Sequence, residues 1–253
     1  MKLKLILFAI LMLSFFTYAF TFKTKKEGEL IKDASSYVIV ELYTSQGCSS
    51  CPRADKVLTE IGDIYKNKNV IPLGFHVDYW DRLGWKDTFS QHKFSERQYL
   101  YGKRFKLNSV YTPQMIVNGV SEFNGGDKSK AVATINKSLK EKASIKLNGE
   151  INELGKMIPI DYMLSDINFD RYTLNAVLVK NKEVVNIKRG ENSNKKIEYK
   201  NIVIDLKTVN ANKNGRIILM KPKDYNKENY TIVLFLQENN NGPIISATKL
   251  SHS

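Results

Sequence analysis

The stretch from Tyr37 to Ile64 constrains this 253-residue chain more than any other. Tyr37 to Tyr43 is almost continuously apolar and β-branched or aromatic, the composition of a strand buried on both faces. Thr44 to Gly47 form a short polar turn. Cys48 and Cys51 follow, and beyond them Ala54, Val57, Leu58 and Ile61 fall on one helical face. Pro52 suits a first helical turn, where its missing N–H has no partner to lose. A Cys-x-x-Cys pair between strand and helix is a setting for dithiol redox chemistry. Unpaired N–H groups at a helix start favour negative charge, so Cys48 is the candidate thiolate and the more exposed sulfur. Cys51, one turn further in, is the candidate resolving thiol.

Two other readings of the pair compete. One is a structural disulfide, although a bridge closing so short a loop removes about 2 kcal/mol or less of unfolded-chain entropy. The other is a metal site for soft Cu(I) built from Cys48, Cys51 and His76. The chain offers no further cysteine and three histidines.

Val70 to Val77 reads as a second buried strand, and a strand–helix–strand unit at this spacing makes the two strands parallel neighbours. That places Cys48 and the loop Asp78-Tyr-Trp-Asp81 on one sheet edge. Tyr79, Trp80 and Trp85 beside Asp78, Asp81 and Asp87 form either a wall of the dithiol site for a partner chain or a packed lid with aspartates capping turns. Ser90 to Lys103 carries a helical pattern, with Arg97 and Gln98 positioned to pair with the acidic loop or to be solvated. Val110 to Val117 enters a strand, and Asn118-Gly119 turns it into a hairpin returning through Phe123. Asp127 caps a helix running to about Glu141. Glu41 interrupts the first buried run seven residues before Cys48. It is either a buried proton relay for Cys51 or an edge residue paired with a lysine.

On Val40-Glu-Leu-Tyr-Thr-Ser-Gln-Gly-Cys-Ser-Ser-Cys-Pro-Arg-Ala-Asp55 the chain resembles the thioredoxin superfamily. With Phe75-His-Val-Asp-Tyr-Trp-Asp-Arg-Leu-Gly-Trp-Lys-Asp87 and Val110-Tyr-Thr-Pro-Gln-Met-Ile-Val-Asn-Gly119, it is similar to the exported family known as domain of unknown function 1223. The resemblance implies a cis Thr112–Pro113 bond packed against the dithiol, with the Thr112 backbone free to pair with an extended substrate. It also favours the relay role for Glu41. Gly47 stands where thioredoxins usually carry tryptophan, and Ser49-Ser50 replaces their Gly-Pro, so the direction of redox activity stays open.

Beyond Ala143 helical periodicity stops, and short strand-like runs separated by Asn-rich turns take over. The fold class expected is an α/β thioredoxin-like domain over 37–142 followed by an all-β, sandwich-like domain over 143–253, after a lead-in over 20–36. At the start, Lys2 and Lys4 precede an apolar run from Leu5 to Phe22, and Thr17-Tyr-Ala19 offers a cleavage site. Residues 1–19 thus read as a signal peptide, with the mature chain periplasmic or secreted and without stable membrane association. The net charge of +13 is spread evenly, 22 Lys/Arg against 14 Asp/Glu over residues 1–142 and 17 against 12 beyond. Such scatter argues against a nucleic-acid surface. The expected function is thiol–disulfide exchange with protein thiols or disulfides through Cys48 and Cys51, assisted by Glu41, Pro113, Thr112, Trp80 and Tyr79, with no cofactor. The alternatives are metal handling and a non-catalytic interaction module.

Overall fold

A computed structural model describes residues 37–141 and 145–251. The signal-peptide and lead-in readings lie outside them. The apolar run forms β1 (Val38–Thr44), every residue of it buried. A turn then leads into α1 (Cys51–Ile64) and β2 (Val70–His76). β1 and β2 are parallel, in register from Val38↔Val70 to Thr44↔His76. α2 (His92–Arg104) precedes the hairpin β3 (Gln114–Val117) and β4 (Ser121–Asn124), and α3 (Lys128–Ser138) follows, capped by the Asp127 carboxylate. At the hairpin turn Asn118 and Gly119 both take positive φ, 50° and 65°. A Cβ on Gly119 would also lie 2.4 Å from the Gly242 carbonyl oxygen, so the turn can press against the 238–242 turn only as glycine.

The second half does not fold as its own sandwich. β7 (Tyr172–Asn186), β8 (Lys196–Asn210), β10 (Tyr230–Glu238) and β11 (Ile244–Leu250) extend the first sheet into eight strands, ordered β11-β10-β7-β8-β2-β1-β3-β4. β5 (Leu147–Ile151), β6 (Met157–Leu164) and β9 (Asn214–Met220) form a separate antiparallel three-stranded sheet. The expected helix-flanked thioredoxin-like α/β domain followed by an all-β sandwich is therefore corrected: the described residues are mostly β, an eight-stranded mixed sheet and a three-stranded one, with three α-helices. The junction is β8 beside β2, in parallel at Gly74↔Ile202. Without it β2 would be an edge strand with unpaired backbone groups.

Layering explains the apolar runs. On one face of the eight-stranded sheet, Val38, Val40 and Leu42 pack with Ala54, Leu58 and Ile61 of α1 and with Ala131 and Ile135 of α3. On the other, Ile39, Tyr43 and Phe75 pack with Phe94 and Tyr101 of α2 and with Val233 and Phe235 of β10. Further along, Ile232, Leu234 and Leu236 of β10 face Ile158, Ile160 and Leu219 of the three-stranded sheet. β10 is thus covered on both sides, which is why its sequence does not alternate.

Candidate functional site

Cys48 and Cys51 are joined by a disulfide, with Cα atoms 5.4 Å apart. The turn that carries them is held independently of the bridge. The Cys48 N–H donates to the Ser45 carbonyl and the Cys51 N–H to the Cys48 carbonyl, both at 3.2 Å. The Gln46 N–H donates to Asp87 Oδ2 at 2.7 Å, and the Gln46 side-chain carbonyl accepts from Trp85 Nε1 at 2.8 Å.

Cys48, expected as the more exposed sulfur, is buried almost as fully as its partner, 1% accessible against 0% for Cys51. The cover comes from the long β7–β8 hairpin, whose turn reaches the cysteine loop. Asn192, fully buried, donates from Nδ2 to the carbonyls of Gln46 at 3.0 Å and Cys48 at 2.8 Å. Glu191 Oε2 accepts the Ser49 N–H at 2.9 Å, which holds the Glu191 carboxyl below its ordinary range. A negative side chain thus sits at the start of α1, the place where an anion is stabilised by unpaired N–H groups.

Thr112–Pro113 is cis. Trp80 Nε1 donates to Thr112 Oγ1 at 2.8 Å, and the Trp80 Cβ lies 3.4 Å from where a Gly47 Cβ would stand. Trp80 and Thr112 therefore meet beside the cysteine loop. Pro113 lines a cleft of about 540 Å³ with Ser50, Arg53 and Asp127. Tyr79 lies elsewhere, in a second cleft with Tyr99 and Val110. It donates its hydroxyl to Gln98 Oε1 at 3.1 Å, and burial pushes that hydroxyl up to about 12. The aspartates of the loop cap turns: Asp81 accepts from the Asp87 N–H and Ser90 Oγ, and Asp87 Oδ1 from the Phe89 N–H.

Glu41 is on the wrong face to serve Cys51. It points with Ile39 and Tyr43 away from α1, and its oxygens accept from Arg97 Nε and Nη2 at 2.8 and 2.9 Å and from the Tyr43 and Tyr101 hydroxyls at 2.8 Å each. Arg97 Nη2 also reaches Gln237 Oε1 on β10 at 2.9 Å. The relay reading of Glu41 is corrected to a buried tie between β1, α2 and β10. On α2, Arg97 and Gln98 are buried rather than solvated, and their recorded partners are not the loop aspartates: Arg97 binds Glu41, and Gln98 binds Tyr79, the Tyr111 carbonyl and Gln114. The metal reading finds no support in the arrangement either. The two sulfurs are bonded to each other, and His76 Nδ1 is 2.7 Å from Asp87 Oδ2. Among the described residues no three His, Cys, Asp or Glu side chains converge on one point.

Under the cysteine loop lies a group that the sequence reading passed over. Asp55 is buried in α1, and burial pushes its carboxyl up to about 7 against the pull of His76 and the Thr44 hydroxyl. Neighbouring His76 is raised too. Burial opposes its charge, but the carboxylates of Asp87, Asp55 and Asp81 together outweigh burial. An acidic residue on the apolar stripe of α1, between Ala54 and Leu58, was the available signal for Asp55. Glu191 and Asn192, 140 residues or more from the cysteines, carried none.

Among described residues no helix is long and apolar enough to cross a membrane. No curated protein matches the sequence. Of solved structures, one of a protein from Agrobacterium tumefaciens is similar at 27% identity and a TM-score of 0.65, covering 88% of this chain and 96% of that one. HBP35 of Porphyromonas gingivalis is similar in fold, with 16% identity, a TM-score of 0.61, and coverage of 86% of this chain and 76% of that one. Residues 39–237, most of the chain and all of the site above, match the family described as protein of unknown function (DUF1223), and the chain belongs to that family.

Proposed function

We propose that this protein is exported and exchanges disulfides with protein thiols through Cys48 and Cys51. The observation that carries the reading is a bridge with little to hold. It closes four residues of a turn already fixed by Ser45, Asp87 and Asn192, so its worth to the fold is about 2 kcal/mol or less. The thioredoxin resemblance enters here as chemistry, not as architecture. Pro113, Ser50 and Arg53 border one cleft beside the bridge, and an extended chain lying there would bring a thiolate to Cys48 once the Glu191–Asn192 turn lifts. Attack at Cys48 expels Cys51, and a second substrate thiol completes the exchange.

The test is a pair of single substitutions. Cys48→Ser is expected to abolish exchange with reduced or oxidised protein substrates. Cys51→Ser is expected to accumulate mixed disulfides, since no other thiol in the chain can resolve them. Absence of trapped species, together with no turnover of insulin disulfides or reduced protein by the wild type, sinks the reading. Export is checked by the mass of the mature chain, expected to begin after Ala19.

A further inference from the structure

Cys51 is wholly buried, so when the disulfide opens a sulfur anion would appear in a site without water to receive it. Four residues on, along the same inward face of α1, stands Asp55. Residues at this spacing are neighbours on a helix surface, with Cβ atoms about 5–6 Å apart. Among the described residues, Asp55 Oδ2 is the only buried carboxylate oxygen without a hydrogen-bond partner of normal geometry. The Thr44 hydroxyl, buried at the end of β1, is likewise without one. Among the described residues, Asn175 Nδ2 is the one other buried side-chain atom without a partner, so an orphan carboxylate one turn from a buried sulfur calls for a reason.

We propose that Asp55 gives its proton to Cys51 when a substrate thiolate opens the Cys48–Cys51 bond, and takes it back when the pair is reoxidised. The assignment rests on the exchange reading above. In the reductive step the substrate sulfur bonds to Cys48 Sγ, and the disulfide electron pair passes to Cys51 Sγ. The Asp55 proton then turns that thiolate into a thiol, leaving a carboxylate. A second substrate thiolate next displaces Cys48, which leaves as a thiolate or takes a solvent proton. The substrate is then a disulfide, and its two electrons are on the cysteine pair.

The surroundings fit both protonation states. Thr44 on β1 can donate to the carboxylate. His76 on β2, directly opposite Thr44 in the sheet register, contributes positive charge that favours the carboxylate. Asp87, the partner of His76, and Tyr199 on β8 are the other titratable groups that feel Asp55; Asp87 favours its neutral form. Burial raises the acid and His76 and Thr44 pull it back, which leaves it at about 7 and suits transfer in either direction.

The test uses Cys48→Ser, in which Cys51 is the sole thiol, against the same chain carrying Asp55→Asn. Thiolate ultraviolet absorbance followed against pH reads Cys51 without requiring reagent access. With Asp55 in place the thiolate forms beside a second negative charge, so its midpoint is expected about one unit or more above that of the Asn variant. Equal midpoints overturn the proposal. If Asp55→Asn does not fold, Asp55→Ser supplies the same comparison. A second arm follows reduction of the intact disulfide by dithiothreitol across pH, read by Trp80 and Trp85 fluorescence. The wild-type profile is expected to bend near the Asp55 midpoint of about 7, a bend the Asn variant lacks; superimposable profiles count against the proposal. Coupled midpoints in a protein that exchanges with no protein thiol sink the exchange reading alone. Exchange with uncoupled midpoints sinks the Asp55 assignment alone.

Discussion

Glu41 and Asp55 are both buried carboxylates on the central sheet and its helix, yet they stand on opposite faces and in opposite conditions. Glu41 is met by a bidentate guanidinium and two tyrosine hydroxyls, and every one of its oxygens is occupied. Asp55 has the Thr44 hydroxyl nearby and an oxygen with no partner. Burying a charge is costly unless it is paired, and the two residues show the two outcomes. A paired acid becomes a rivet between distant segments. An unpaired one sits close to neutrality and keeps a proton to move.

The largest effect should come from stripping Glu41 of its partner. Arg97→Met leaves the buried carboxylate with only the Tyr43 and Tyr101 hydroxyls as donors, and a loss of about 3–5 kcal/mol in denaturant unfolding is expected. Adding Glu41→Gln to that variant should restore much of it. A single Arg97→Met that unfolds like the wild type would mean that Glu41 is no rivet.

Asp55→Asn should act in the opposite direction and with pH. Its folded carboxyl titrates at about 7, above an unfolded value of about 3.9. A raised acid stabilises the fold relative to its ionised form below the unfolded value, and that contribution is lost as pH rises through 7. The Asn variant is therefore expected to be more stable than the wild type by up to about 4 kcal/mol at pH 8, with the difference vanishing near pH 4. A difference independent of pH would show that folding does not raise the proton affinity of Asp55.

The smallest effect concerns the cover rather than the acids. Asn192→Ala leaves the Gln46 carbonyl without its donor and the Cys48 carbonyl with the Cys51 N–H alone, at a cost of about 1–3 kcal/mol. Reduction of the disulfide by a water-soluble phosphine should become severalfold faster. Unchanged reduction would show that the β7–β8 turn does not limit access to the sulfurs.

Much of the local structure was readable from the residues. The buried strand from Val38, the helix after the cysteines, the parallel strand from Val70 and the Asn118-Gly119 hairpin all stand where periodicity and turn chemistry put them. The architecture of the second half was not readable. Short strands with polar turns look the same whether they close a sandwich of their own or extend an existing sheet, because hydrogen bonding to β2 leaves no trace in the side chains of β8. Glu41 was legible as buried but not as paired, since its partner Arg97 lies 56 residues away on a helix whose pattern also fitted solvation.

What the sequence alone determined is therefore the cysteine turn: a buried strand, a tight loop, two thiols and a helix start, each dictated by interactions within a few residues. Only the tertiary structure decided what surrounds it. It set Arg97 against Glu41, left Asp55 without a partner beneath Cys51, and brought Asn192 over the bridge from 144 residues away. Backbone propensity and apolar period act along the chain, whereas the pairing of a buried charge depends on which strands and helices meet, and that is settled only when the sheets assemble.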